Sequence, residues 1–221
     1  MRIRPVFALP IALALALPAF AAQDIDKVNG SITVEPGETV GNLETVNGSI
    51  RIGAGARTGH AETVNGSITV AENVQAGGLE TVNGSIRVAG NGKLASDLET
   101  VNGGVFVDRG GDVNGHIETV NGAIGLVDTD LSGGITTVNG DVTVGIDSHV
   151  KGGIRYTKPN TSWISFNKPR DPKVIIGPNA VVDGPLVFER KVELYVHSTA
   201  KTGPITGATA VRFDGAMPPG Q

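Results

Sequence analysis

Residues 62–68 read Glu-Thr-Val-Asn-Gly-Ser-Ile, and the same seven letters stand at 44–50 and 80–86. Related copies of this motif occur at 28–32, 99–105, 118–124 and 136–142. The motif asparagines follow one another at spacings of 18 or 19 residues, and they are Asn29, Asn47, Asn65, Asn83, Asn102, Asn121 and Asn139. A motif repeated at such a fixed, short period indicates stacked structural units.

Apolar residues also recur every six residues within each unit. Val64, Val70 and Ala76 lead the three segments of one unit, and a second apolar residue such as Ile68 often follows four positions later. Three short strands, each ended by a turn, make one coil of a three-sided solenoid. The sequence therefore predicts an all-β fold, a single-stranded β-solenoid (parallel β-helix) with coils of about 18 residues. Seven coils would stand roughly 34 Å tall.

An antiparallel meander is the alternative fold. Asn-Gly between β-forming residues is the strongest short signal for a hairpin, so each motif could be two strands around a tight turn. The six-residue frame favours the solenoid, because a hairpin array has no reason to keep valine in phase through the rest of each repeat.

The repeated motif predicts three columns of side chains along the stack. We expect the asparagines and the glycines after them to adopt left-handed backbone angles, and the amides to form a hydrogen-bonded ladder. A second column contains Glu44, Glu62, Glu80, Glu99 and Glu118. Like charges directly opposite are destabilising, so these carboxylates must be solvated, paired with arginines such as Arg51 and Arg87, or neutralised by cations.

The threonine that follows each glutamate forms the third column. We expect it on an exposed strand, either as an ordinary β-forming residue or as a regular array that matches ice or a crystalline polysaccharide. The column contains Thr45, Thr63, Thr81, Thr100, Thr119 and Thr137.

Residues 1–21 read as a signal peptide. Arg2 and Arg4 precede an apolar stretch at 6–20, and small residues around Phe20 predict cleavage after Ala21 or Ala22. The stretch is too short and too interrupted by proline to span a membrane comfortably. We therefore expect an exported chain, periplasmic, secreted or on the cell surface.

Composition excludes several functional classes. The formal net charge is −4, which argues against nucleic acid as a partner because nucleic-acid binding needs a basic surface. The chain has no cysteine, so it has no disulfide and no thiolate metal site. Its 32 glycines and 4% aromatic residues are typical of a thin, repetitive β structure.

The repeat is expected to occupy 22–156 and to be interrupted by a Pro-rich, basic and aromatic loop at 157–173. Positive charge and aromatic rings could bind anionic lipid headgroups or an acidic envelope polymer. Alternatively, the loop covers the side or end of the solenoid. The candidate contact residues are Trp163, Phe166, Lys158, Lys168, Arg170 and Lys173.

The six-residue frame resumes at 174–212. We expect a second, short solenoid block there, which would cap the stack because an open β edge invites pairing with another chain. Residues 213–221 are expected to be a disordered tail.

The repeated motif behind a signal peptide resembles the exported bacterial β-strand-repeat family described as putative adhesins. The sequence Ile-Gly-Pro-Asn-Ala-Val at 176–181 resembles bactofilins, which are polymer-forming cytoskeletal solenoids, although bactofilins usually lack a cleaved export signal. These resemblances imply a non-enzymatic, adhesin-like structural protein of the cell envelope, or alternatively a self-assembling polymer. Neither family implies catalytic residues.

A hexapeptide-repeat acyltransferase is the second alternative. Such enzymes act as trimers with a catalytic histidine at the subunit interface, and His60, His116, His149 and His197 are the histidines here. None has a partner at a readable spacing, and no nucleophile, phosphate-loop or zinc motif is present. The sequence therefore predicts no enzyme activity, cofactor or metal.

Overall fold

The computed structural model describes residues 22–158 and 170–218. Strands and turns account for the regular structure in these ranges, so no described segment is a helix that could cross a membrane. The described strands form three sheets, and every pairing between strands is parallel.

Sheet 1 holds the Thr-Val-Asn part of the motif. Its strands, in spatial order, are β1 (Ile25–Asn29), β3 (Leu43–Asn47), β5 (Ala61–Asn65), β8 (Leu79–Asn83), β11 (Leu98–Asn102), β14 (Ile117–Asn121), β17 (Ile135–Asn139), β20 (Ile154–Tyr156), β23 (Leu186–Phe188) and β26 (Ile205–Thr206).

Sheet 2 follows the Asn-Gly step in each coil. Its strands are β2 (Ile32–Val34), β4 (Ile50–Ile52), β6 (Ile68–Val70), β9 (Ile86–Val88), β12 (Val105–Val107), β15 (Ile124–Leu126), β18 (Val142–Val144), β21 (Lys173–Ile176), β24 (Glu193–His197) and β27 (Ala210–Phe213).

Sheet 3 completes each coil with a short strand. Its strands are β7 (Gln75–Ala76), β10 (Lys93–Leu94), β13 (Gly111–Val113), β16 (Thr129–Leu131), β19 (His149–Val150), β22 (Val181–Val182) and β25 (Lys201–Thr202). Bridges from Arg57 to Thr39 and to Gln75 extend this side toward the first coils.

The predicted three-sided β-solenoid is confirmed, and the antiparallel meander is wrong. Each strand pairs with the strand one coil away, in a register that places Asn47 beside Asn65 and Asn65 beside Asn83. Sheets 1 and 2 contain ten strands each, so the stack has about ten coils, which include the seven counted from the motif and the coils that follow them. At the strand spacing of about 4.8 Å, and counted in the same way, ten coils stand roughly 48 Å tall.

The short block expected at 174–212 consists of solenoid coils that continue the same three sheets. Strand β21 pairs with β18, β22 with β19, and β23 with β20. The segment between β20 and β21 is therefore an insertion in one continuous solenoid. Phe213 ends β27 and is buried with its ring edge-on to His197, so it belongs to the last coil and not to the expected tail.

Alternation along the strands decides which motif residues face the core. Leu43 and Thr45 are buried, whereas Glu44 and Val46 between and after them are exposed. The expectation of an exposed threonine column is therefore wrong. Because side chains of a strand point alternately to opposite faces, the buried Leu43 forces Thr45 inward and Val46 outward.

Five of the six inward threonines of the column donate a hydrogen bond to the backbone of the preceding coil. Thr63 Oγ1 donates to the Gly48 carbonyl at 2.8 Å, and Thr81 Oγ1 donates to Gly66 at 2.8 Å. The same bond is made by Thr45, Thr100 and Thr119. Thr137 Oγ1 breaks the series, because it is buried and has no hydrogen-bond partner among the described residues.

The motif glycine is required by close packing. A Cβ on Gly66 would overlap the carbonyl oxygen of Gly48 in the coil before it, and a Cβ on Gly84 would overlap that of Gly66. The expectation of left-handed motif asparagines is wrong: the described non-glycine residues with positive φ all stand in the turn between sheet 2 and sheet 3. They are Asn73, Asn91, Asp128, Asp147 and Asn179.

The motif asparagines form a continuous ladder. Asn65 Nδ2 donates to Asn47 Oδ1 at 3.0 Å, and Asn83 Nδ2 donates to Asn65 Oδ1 at 3.0 Å. The ladder runs from Asn29 to Asn139 with donors always directed to the preceding coil. The last oxygen, Asn139 Oδ1, accepts a hydrogen bond from the Arg190 guanidinium.

We expect Asn65→Ala to lower the free energy of unfolding by about 1–2 kcal/mol, because the change removes two ladder bonds. Asn29→Ala is the matched control. Asn29 makes one ladder bond, so its loss should cost about half as much. Urea denaturation of both variants measures the difference. Equal costs would contradict a separate contribution from each ladder bond.

We expect Thr63→Val to destabilise the chain by about 1–2 kcal/mol, since it leaves the Gly48 carbonyl without its hydroxyl donor. Thr137→Val should be neutral or stabilising, because valine has nearly the same shape and the lost hydroxyl is buried without a described partner. Denaturant midpoints of the two variants compare these costs. Equal destabilisation by both substitutions would contradict this account of the column.

Candidate functional site

The outer face of sheet 1 carries an unbroken line of carboxylates, which we call the acidic column. Strand register places Asp26 beside Glu44, and each glutamate beside the next. The spacing between neighbours is therefore that of adjacent strands, about 4.8 Å. The column contains Asp26, Glu44, Glu62, Glu80, Glu99 and Glu118.

A second exposed line runs beside the acids, and we call it the valine column. Val82, Val101 and Val120 expose 37%, 41% and 39% of their surface, and Val28 at the first coil exposes 69%. Sequence reasoning missed this surface, because it counted these valines as the leading apolar residues of the frame. The full column is Val28, Val46, Val64, Val82, Val101, Val120 and Val138.

The acidic column has no ion pair among the salt bridges found in 22–158 and 170–218. Arg51 and Arg87 lie on sheet 2, on either side of Thr69, so the alternative in which these arginines pair with the glutamates is wrong. Burial raises the pKa of Glu99, and the charges of Glu80, Glu118 and Asp97 raise it further.

A metal site needs several ligands that converge on one point, and a line of carboxylates does not provide this. Neighbouring acids on parallel strands follow one another along the stack and do not converge on one point. Across the described ranges, no group of three or more His, Cys, Asp or Glu side chains is placed to hold a metal ion.

The base of the insertion is held by acidic residues of the solenoid. Arg170 binds Asp141 through two contacts, Nη1–Oδ1 at 3.1 Å and Nη2–Oδ2 at 2.5 Å, and the Lys173 N–H donates to Asp141 at 2.8 Å. Burial opposes ionisation of Asp141, but Arg170 and the Lys173 N–H outweigh it and lower the pKa of Asp141. On the other flank, the Lys158 N–H donates to Glu189 at 3.4 Å.

These contacts divide the six candidate contact residues. Arg170 is paired with Asp141 while 67% of its side chain stays exposed, and Lys173 begins β21. The exposed Lys158 lies at the end of the described range. The predictions for Trp163, Phe166 and Lys168 lie outside the described residues.

Arg190 is a residue that sequence reasoning counted only as part of a charged segment. Its guanidinium donates to the Val138 carbonyl at 2.9 Å and contacts Asn139 Oδ1. It lies near Tyr156, which takes over the register position of the threonine column and donates to Gly140 at 2.7 Å. Burial raises the pKa of Tyr156, the charge of Asp141 raises it further, and Arg190 opposes the rise. The asparagine repeat ends at Asn139, and this end was the signal in the sequence that a different residue must pair with the last amide of the ladder.

The four histidines all have structural partners. His60 Nδ1 accepts the Gly78 N–H at 3.0 Å, and His116 Nδ1 accepts the Gly134 N–H at 3.0 Å. The other two pair with side chains: His149 with Asp183 at 2.7 Å, and His197 with Thr199 at 2.9 Å.

An open groove of about 440 Å³ lies on sheet 2. Its walls include Arg87, Phe106 and Thr143. The Phe106 ring leans over Gly125, where an added Cβ would stand 3.0 Å from the ring. This contact covers the backbone of a glycine within a strand, so Phe106 has a structural role.

Both ends of the described stack carry a cation at an inward register position. Lys27 occupies the position of the threonine column in the first coil, and its Nζ donates to the Ser31 carbonyl at 2.8 Å. Arg212 stands beside the buried Val196 in the last coil and donates to the His197 carbonyl at 3.2 Å.

Comparison of the chain with protein-family models, curated proteins and solved structures found no match. The geometry shows a repeat β-solenoid, while the resemblances to exported β-strand-repeat proteins and to bactofilins stay predictions.

We expect Glu99→Gln to stabilise the chain at pH 7 by about 0.2–1 kcal/mol, because it removes the repulsion between Glu99 and its two charged neighbours, Glu80 and Glu118. The raised pKa means that the folded state takes up this proton before the unfolded state does. The gain should therefore be present above the folded pKa and disappear as the pH falls below the unfolded value.

Urea denaturation at pH 7 and near pH 4 measures this change. Glu72→Gln is the control, because Glu72 lies in a turn outside the acidic column. An equal, pH-independent effect of both substitutions would contradict repulsion along the column.

Proposed function

We propose that this chain is a non-enzymatic, exported structural and interaction protein, an adhesin-like β-solenoid of the bacterial cell envelope. The observation that carries the proposal is the outer face of sheet 1. There the solenoid presents the same acidic and apolar side chains on six successive coils, at the spacing of one strand. A surface that repeats one chemistry along an axis suits an elongated or repetitive partner better than a single small substrate.

We propose no catalytic role because the histidine rings hydrogen-bond to groups of the solenoid itself. The rings of His60 and His116 accept backbone N–H groups, which favours a structural role for both. An acyltransferase needs a histidine free to act as a base at a subunit interface. The proposal includes no cofactor.

The export step rests on residues 1–21 as a signal peptide. Besides the contacts made by sheet 1, the insertion around Trp163 and Phe166 would contact an acidic envelope polymer or an anionic membrane surface. Since Arg170 is bound to Asp141, the basic contribution to that contact falls to Lys158 and Lys168.

The polymer alternative would require apolar, uncapped terminal coils that stack end to end. Lys27 and Arg212 place positive charge at inward positions of the first and last described coils. Each of them is hydrogen-bonded to a backbone carbonyl, and stacking a second molecule there would bury its charge without a carboxylate to neutralise it, which is strongly unfavourable. The two terminal cations therefore favour a protein that binds its partners with the outer faces of its sheets.

We expect the full chain, expressed in a Gram-negative host, to be cleaved after Ala21 or Ala22 and to fractionate with the envelope. Mass spectrometry of the purified chain measures cleavage, and light scattering should report a monomer. The double change Trp163→Ala/Phe166→Ala should release the chain to the soluble fraction, while Lys201→Ala, on the outer side of sheet 3, should not.

Unchanged fractionation of the double variant would overturn docking through the insertion. An uncleaved cytoplasmic chain would overturn export, and filaments would favour the polymer alternative.

A further inference from the structure

We infer that the acidic and valine columns of sheet 1 together form a docking surface for a basic, amphipathic α-helix of a partner protein, lying along the solenoid axis. This inference rests on the proposed function as an interaction scaffold. It differs from that proposal in naming the face, the conformation of the partner and its charge.

Charge complementarity sets the sign of the partner. Six carboxylates stand in register without a salt bridge in the described part of the chain. Like charges directly opposite on neighbouring strands repel, and this repulsion falls when cations are placed beside them. Burial raises the pKa of Glu99, and the charges of Glu80 and Glu118 raise it further. Lysine or arginine side chains of a partner would therefore be attracted along the whole line.

The valine column gives the partner an apolar surface to bury. Glu80 and Val82 are two residues apart on one strand, so the two columns run side by side about 6.7 Å apart. Val82, Val101 and Val120 each leave more than a third of their surface in contact with solvent. A partner must therefore carry a basic stripe directly beside an apolar stripe.

Spacing along the axis selects a helix over an extended peptide. Rungs of the columns repeat every 4.8 Å or so, and one turn of an α-helix rises about 5.4 Å. The mismatch of about 0.6 Å per coil accumulates to roughly 3 Å over five intervals. An extended strand repeats its side chains on one face every 6.7 Å or so, and it would slip by roughly 9–10 Å over the same length.

The ends of the acidic column define the length of the partner. After Glu118 the same register position is taken by Thr136 and then by Arg155. A cationic helix therefore meets an uncharged residue and then a positive charge beyond the sixth acid. Five intervals span roughly 24 Å, which corresponds to a helix of about 16 residues.

The test uses the mature chain and a fluorescent, acetylated peptide of about 18 residues that carries a lysine stripe beside a leucine stripe at helical spacing. A peptide of the same composition in shuffled order removes the two stripes and keeps the charge. Fluorescence anisotropy at two salt concentrations should show at least about tenfold tighter binding of the striped peptide.

Variants of the two columns separate their contributions. Glu80→Gln/Glu99→Gln should weaken binding by about tenfold and reduce its salt dependence. Val82→Thr/Val101→Thr should weaken binding and leave the salt dependence unchanged. Asp112→Asn/Asp130→Asn is the matched control, because these acids are neighbours in the same way on sheet 3 and should leave binding unchanged.

Equal binding of the shuffled peptide, or equal losses from the sheet 3 control, would overturn the inference in favour of general attraction of polycations to an acidic protein. Thermal denaturation of each variant shows that a loss of binding is not a loss of fold. If no peptide binds while envelope fractionation still depends on Trp163, the docking surface is overturned and the proposed function stands. If the chain is neither cleaved nor exported, the proposed function fails whatever the peptides do.

Discussion

In-register stacking at the Asn-Gly step is the constraint on which the rest of the structure depends. The backbone of one coil passes so close to the Gly48 carbonyl that position 66 has no room for a side chain. Once this contact fixes the register, Asn65 must meet Asn47, and Thr63 must lie beneath the Gly48 carbonyl. The same register places Glu62 beside Glu44, so the repulsion along the acidic column accompanies the stabilising ladder.

The fold was predictable because the repeat has a fixed period, and period alone indicates stacked coils. The facing of individual residues was not, since Leu43 and Val46 are both apolar and lie three residues apart on one strand, so they face opposite sides of the sheet. Only the buried Leu43 and the carbonyl acceptor above Thr45 separate the two, and that acceptor belongs to a different coil. Coils at 174–212 were predictable because the six-residue frame resumes there, but the sequence does not show that β21 continues the sheet of β18 across the insertion.

The candidate site was predictable in composition and only partly in place. The line of glutamates follows directly from the motif. The partners of Arg170 and Arg190 do not, because Asp141 and Asn139 stand 29 and 51 residues before them in the chain. A count of basic residues at 157–173 therefore overstates the charge that is free to bind, and the exposed valines become visible only when the inward threonines are known. The outer face of sheet 1, which carries the motif glutamates and valines, therefore has the most regular chemistry.

The ladder also bears on the order in which the coils can form. Its partners are 18 or 19 residues apart, so each new coil can close on the preceding one after a short length of chain has emerged. At the insertion this separation rises to 32 for Asn179 with Asp147 and to 34 for His149 with Asp183. Nearly doubling the loop adds about 0.6 kcal/mol of closure entropy at that single step. In a solenoid that assembles from its N-terminal coil, the coil after the insertion would therefore close more slowly than the seven before it. Until that coil forms, Asn139 Oδ1 lacks the hydrogen bond from Arg190.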